Sequence, residues 1–415
     1  MTDGDAVPVD VKARVAAIWR IEGARIVAAL ARMTGDLGQA EDVAQEAVAE
    51  ALVQWPRVGV PDNPGAWLTA VAKRRAIDTW RRRQALDDRY RAIARDLDEA
   101  TDDEWQPIPD DILRLVFTAC HPVLSRESQL ALTLRVVAGL TTEEIARMFL
   151  VPVATIQQRV VRAKKTLAAA RVPFEVPDPA EWPARLGAVL GVVYLAFTEG
   201  YSATSGDRWV RHDLAAEALR LGRVVARLLP REPEAHGLVA LMELQSSRFG
   251  SRERPDGTPI LLADQDRSRW DRSQIIRGRT ALEAADAIGR GRGSYALQAA
   301  IALEHAKAAS VETTDWDAIV VLYEALGRLS PSPVVELNRA VAVSMATGPA
   351  NALLIVDRLA ADGVLRGSHL IPSVRGELLA RLGRTDEARE QLEAAAALAT
   401  NDREREVLRG KAAAL

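Results

Sequence analysis

"LTTEEIARMFLVPVATIQQRVVRAKKTL", Leu140 to Leu167, decides the fold. Thr141 or Thr142 is placed to N-cap a helix, and Glu144 follows Thr141 at capping-box spacing. Leu140, Ile145, Met148 and Phe149 form its apolar side. Pro152 lacks an N–H and restricts Val151, so "LVP" breaks the helix. A second helix starts near Thr155, with Ile156, Val160, Ala163 and Leu167 at three- and four-residue spacing to pack inward. Thr155, Gln157, Gln158, Arg159, Arg162 and Lys165 are left to project outward. Two helices around a short turn form the pattern in which a second helix enters the DNA major groove. Glutamine bonds adenine bidentately and arginine bonds guanine, whereas Arg162, Lys164 and Lys165 suit phosphates, which position without specifying. The same spacing also describes an ordinary helical hairpin whose second helix is amphipathic.

The rest of the 415-residue chain is rich in Ala, Leu and Arg and poor in aromatics. Those residues lose little side-chain entropy in a helix, and runs of alternating β-branched residues with hairpin turns are absent, so the fold class expected is all-α. One cysteine, Cys120, excludes an internal disulfide and a cysteine-built metal site. Its neighbour His121 does not make it a nucleophile, because sequence neighbours rarely face each other and no third partner is placed. His212, His236, His305 and His369 are too scattered for a metal cluster, and no cofactor is expected. The opening "MTDGDAVPVD" lacks a basic and an apolar region, and no apolar run nears the roughly 20 residues that span a bilayer. The expectation is a cytoplasmic protein without a membrane partner.

The net charge of −3 hides segregation. Ala70 to Arg83 carries six basic residues and one acid; Ala154 to Arg171 carries five and none. Between them Leu86 to Asp111 carries ten acids and three basic residues. Two basic elements joined by an acidic tether are what a nucleic-acid binder with little net charge would show, although each run alone also reads as a solvated helix face.

The Leu140–Leu167 stretch resembles region 4 of bacterial extracytoplasmic-function sigma factors, the part that reads the −35 promoter element. "GDLGQAEDVAQEAVAEAL" (Gly35–Leu52) resembles region 2.2, which docks on the β′ clamp helices of RNA polymerase. "NPGAWLTAVAKRRAIDTWRRR" (Asn63–Arg83) resembles regions 2.3 to 2.4, which melt and read the −10 element. "FTEGYSATSGDRWVRHDLAAEALRLGR" and "SPSPVVELNRAVAVSMATGP" resemble the helical extension of the subgroup with a tetratricopeptide-like C-terminal domain.

The resemblance implies a non-enzymatic initiation factor that binds core RNA polymerase, through the β′ clamp helices and the β flap, and promoter DNA. It implies polymerase docking by Asp36, Glu41, Asp42, Gln45 and Glu46, and −10 contacts by Lys73, Arg74, Arg75, Trp80, Arg81 and Arg82. For −35 contacts it implies Thr155, Gln157, Gln158, Arg159, Arg162, Lys164 and Lys165. Trp67 matches a family tryptophan read as core. Arg74 stands where the family often has Asn, and Gln157-Gln158 replace a common Lys-Ser, which leaves both sequence preferences open. The acidic tether reads either as a mimic of nucleic acid in the polymerase RNA path or as a solubilising linker.

The expected domains are 1–85, an acidic linker 86–110, 111–171, a proline-rich linker 172–183, and a helical extension 184–415. Within the extension, Asp317–Pro349 and Leu378–Ala399 read as helical hairpins, the second turning at Gly383, as in repeats that bind a protein or peptide. Leu261–Ile276, with Trp270, reads as a packed helix with internal ion pairs. A single-site helix-turn-helix regulator and a repeat scaffold are the alternatives.

Overall fold

The computed structural model describes residues 11–84, 109–149, 151–178, 180–201, 212–252, 254, 260, 262–399 and 402–415. Every regular element among them is helical: eighteen α-helices and three 3-10 turns. The chain divides into two compact units, 1–193 and 194–415.

In the first unit, α1 (Val11–Thr34), α2 (Leu37–Val58) and α3 (Pro64–Gln84) pack pairwise. Local chemistry sets their starts. Asp36 Oδ1 accepts from the Gln39 N–H at 3.0 Å, and Asn63 Oδ1 from the Ala66 N–H at 3.1 Å, each satisfying an orphan donor of a first turn. Ile26, Leu30, Val43, Ala47, Trp55, Leu68 and Val71 fill the core. Trp67 meets Trp55 edge-on, ring centres 5.4 Å apart, and is half-buried, so it seals the rim of that core.

Four further helices complete this unit: α4 (Pro109–Ala119), α5 (Arg126–Val136), α6 (Thr142–Phe149) and α7 (Val153–Ala169). α4 packs on α1, and α5 and α6 both pack on α7. Gly139, at φ +73°, leads into α6; a Cβ there would lie 3.4 Å from the Trp19 carbonyl oxygen, so glycine fits both the left-handed backbone and the close approach to α1. The acidic stretch expected at 86–110 lies almost wholly outside the described residues.

α8 (Trp182–Tyr201) follows the proline-rich segment, with Pro183 in its first turn, where the missing N–H costs nothing. Its first half belongs with the first unit. Trp182 packs on Phe117 with ring centres 5.1 Å apart, and Arg185 Nη2 donates to the Phe117 carbonyl at 3.1 Å.

The second unit contains α9 (His212–Leu228), α10 (Pro233–Ser246), α11 (Arg272–Ala287), α12 (Ser294–Lys307), α13 (Trp316–Leu329), α14 (Pro333–Ala346), α15 (Pro349–Ala361), α16 (Leu370–Arg381), α17 (Thr385–Leu398) and α18 (Asp402–Ala413). Each packs on the next, and α10 also on α12, where a Cβ on Gly237 would come within 2.7 Å of the Ala296 nitrogen. Both expected hairpins form; Gly383 turns at φ +75°, and Ala388, Leu392 and Ala396 face inward.

The packed helix expected over Leu261–Ile276 does not form. Asp266 accepts from the Ser268 N–H at 3.0 Å and Asp271 from the Gln274 N–H at 3.1 Å. These caps confine the segment to 3-10 turns at Leu262–Asp264 and Arg267–Arg269 until α11 begins. Trp270 is buried, with the guanidinium carbons of Arg248 and Arg267 each 5.4 Å from its ring centre.

Candidate nucleic-acid interface

The capping box closes around α6. The Thr141 N–H donates to Glu144 Oε2 at 2.9 Å, and the Glu144 N–H to Thr141 Oγ1 at 3.1 Å. The Val151 N–H donates to the Ala146 carbonyl at 3.0 Å as α6 ends, and Pro152 holds an extended φ of −58° and ψ of 144° before α7 begins. Ile156, Val160, Ala163 and Leu167 are all buried, which fixes the rotation of α7. Gln157, Gln158, Arg162 and Lys165 are thereby turned to solvent along one face of α7, with Thr155 and Arg159 half-buried beside them. Val161 lies on the same face, 50% exposed. Sequence reasoning missed it, although an apolar residue among the outward positions was the signal; such a side chain suits a thymine methyl group.

Lys164 goes the other way. Its ammonium bonds Glu41 and, at 2.8 Å, Asp42 on α2. Burial pushes the Lys164 pKa down, but the charges and hydrogen bonds of Glu41 and Asp42 outweigh it and the net shift is upward. Arg135 Nε on α5 donates to the same Glu41 at 3.0 Å, and its Nη1 to the Leu140 carbonyl at 3.0 Å. Glu41 is only 5% exposed. Two more pairs tie α1 to the later helices: Arg20 with Glu144, and Arg32 with the fully buried Asp111 at 3.1 Å. These partners are 79 to 124 residues apart, which is why no local pattern disclosed Arg135, Arg20 or Arg32.

Of the other residues expected on the docking face, Asp36 is exposed and caps α2, Gln45 is half-buried, and Glu46 is exposed. Glu46 and Glu50 both hold Arg75 of α3; its Nε and Nη2 meet Glu50 at 3.1 and 2.7 Å. The hydrogen bond to Glu50 raises the Arg75 pKa further. Arg74 is exposed and Lys73 half-buried on the same helix. Trp80, Arg81 and Arg82 also lie on α3, but their side chains fall outside the described residues.

Cys120 ends α4 fully buried, its sulfur 3.3 Å from Thr133 Oγ1, and burial pushes its thiol up to about 11. It is therefore a neutral thiol near pH 7, unsuited to nucleophilic attack. Among the described residues no acidic, histidine and cysteine side chains gather as metal ligands, and no helix is long and apolar enough to cross a membrane.

Residues 19–86 match the family described as sigma-70 region 2, and residues 114–167 match sigma-70 region 4. Residues 185–286 match a family of unknown function, DUF6596. An uncharacterized protein of Rhizobium meliloti is 46% identical over 395 residues, covering 92% of this chain and 91% of its own length. The probable ECF RNA polymerase sigma factor SigI of Mycobacterium tuberculosis is 29% identical over 172 residues, which is 40% of this chain and 58% of that protein. No solved structure matches the chain.

Proposed function

We infer what this chain does from the family to which it belongs, the extracytoplasmic-function type of sigma-70 factor, here with a C-terminal helical extension: it binds core RNA polymerase in the cytoplasm and directs it to promoters. The acidic side of α2 docks on the β′ clamp helices, α3 opens and reads the −10 element, and α7 reads the −35 element with support from the β flap. The polymerase performs the chemistry. The observation that carries this reading is the rotation of α7. Its buried Ile156, Val160, Ala163 and Leu167 leave Gln157, Gln158, Arg162 and Lys165 facing out as one row, in a chain that also carries region 2. The serial helices of the second unit regulate this activity by holding a protein or peptide.

Transcription by purified core polymerase on a promoter library tests the proposal. The full chain is expected to produce discrete, protein-dependent starts. Replacing Gln157 and Gln158 with Ala is expected to relax the −35 preference by about 1–3 kcal/mol of base discrimination at each lost bidentate contact. Lys165→Ala is expected to weaken all sites alike and flatten the salt dependence. A chain that neither binds core nor creates new starts would leave the reading without support.

A further inference from the structure

A pocket of about 290 Å³ opens in the first unit, at the start of α2, the end of α4 and the end of α7. Leu37, Leu167 and Phe174 are among its lining side chains and give it an apolar wall. An apolar wall with a few placed polar groups is the usual make-up of a small-molecule site, and this volume suits a ligand at the small end of that class.

Three polar groups on the lining have bonding capacity left over. Thr118, near the end of α4, is 3% exposed, and its hydroxyl has no hydrogen-bond partner. A buried hydroxyl left unpaired is costly, and a ligand's polar atom at that wall would relieve the cost. Arg171 follows α7 at φ +48°, in the left-handed region that glycine commonly fills just past a helix end. It is exposed, and among the described residues its guanidinium enters no ion pair or hydrogen bond. Asp36 is exposed too and caps α2 through Oδ1, which leaves its second oxygen for a partner. The remaining charge, the Lys164 ammonium, is already held by Glu41 and Asp42. Only its stem meets the pocket wall, with Cβ and Cδ each 3.7 Å from a Cβ built on Gly38.

The lining therefore offers one available charge of each sign beside an apolar wall. A simple anion would be attracted by Arg171 and repelled by Asp36, and a simple cation the reverse. We propose that this pocket binds a small zwitterion with an apolar body, a free α-amino acid of the leucine or phenylalanine class. Arg171 takes the carboxylate as a charge-assisted pair, Thr118 donates to a carboxylate oxygen, and Asp36 takes the ammonium. The hydrocarbon side chain lies against Leu37, Leu167 and Phe174, where burial of its surface adds to the affinity.

Calorimetric titration of the full chain with L-leucine and with L-phenylalanine tests the site. Saturable binding of at least one, with Kd below about 1 mM, is expected. Isocaproate and hydrocinnamate lack the ammonium of the two amino acids; isoamylamine and phenethylamine lack the carboxylate. Each analogue is expected to bind roughly tenfold or more weakly than its parent. Arg171→Gly removes the guanidinium and suits the left-handed turn, so the variant should unfold at the same or a higher temperature yet lose roughly tenfold or more in affinity. Thr118→Val removes the unpaired hydroxyl; it should also keep or raise the unfolding temperature while binding several-fold more weakly. Absence of binding by both amino acids, analogues that bind as tightly as their parents, or full affinity in both variants would overturn the site. Binding is measured on the free chain, so the outcome is independent of the promoter reading above.

Discussion

Both units enclose a buried carboxylate between cations, Glu243 by Arg223 and Arg277 in the second, but one corner of the second treats buried charge in the opposite way. In the first, buried carboxylates are enclosed by cations: Glu41 by Arg135 and Lys164, Asp111 by Arg32 and Arg114. One corner of the second gathers like charge, with Arg248 and Arg267 both near the Trp270 ring and His305 close by. There Arg267 Nη1 donates to the carbonyls of His305 and Ala308 and to Thr314 Oγ1, at 2.8 to 3.3 Å. Neutral dipoles and an aromatic face hold this cation, with the charge of Glu312 acting on it as well. A carboxylate between two cations can exchange them for those of a basic partner. A guanidinium held by backbone carbonyls has no such competitor. The first arrangement leaves the acid's partners open to exchange; the second is a fixed joint.

The largest expected effect tests the fixed joint. Arg267→Ala removes three hydrogen bonds and a stacked cation, and is expected to destabilise the second unit by about 3 kcal/mol in urea unfolding. A loss below about 1 kcal/mol would mean that the corner is not structural. Acid probes the same corner. Burial first, then Arg267 and Arg248, push the His305 pKa down to about 4 from 6.5. The folded state thus disfavours the proton that the unfolded chain accepts near 6.5. The stabilising difference is complete above that pH and is lost as pH falls towards 4, up to about 3 kcal/mol. His305→Phe should remove that part of the acid slope; an unchanged slope would assign it to other groups.

The sequence disclosed what repeats over three or four residues. The capping box at Thr141–Glu144, the break at Pro152 and the buried row of α7 were all legible because each is a local device, and so were the hairpin at Gly383 and the all-helical class. What stayed hidden was long-range. Helical spacing left Lys165 and not Lys164 in the outward row, yet nothing near Lys164 disclosed that it bonds α2. Arg135 reads as one more cation on a helix until Glu41, 94 residues earlier, comes beside it. The mixed charges around Trp270 suggested helix because ion pairs do fit helical spacing. Asp266 and Asp271 bond the chain ahead of them instead, and that competition breaks the helix.

The smallest effect sharpens the comparison within α2 itself. Its acids form two clusters, Glu41 with Asp42 and Glu46 with Glu50. The second holds Arg75, only 25 to 29 residues away and about two-fifths exposed. Exposed pairs contribute little, so Arg75→Ala is expected to cost under about 1 kcal/mol. Arg135→Ala leaves Glu41 buried with Lys164 alone and is expected to cost about 2 kcal/mol. Urea unfolding of the two variants side by side measures the difference. Equal losses would mean that burial of Glu41 confers no special strength, and the distinction between a local exposed pair and a long-range buried one would collapse. A larger loss for Arg135→Ala would separate them, because only the buried acid lacks water to replace the missing cation.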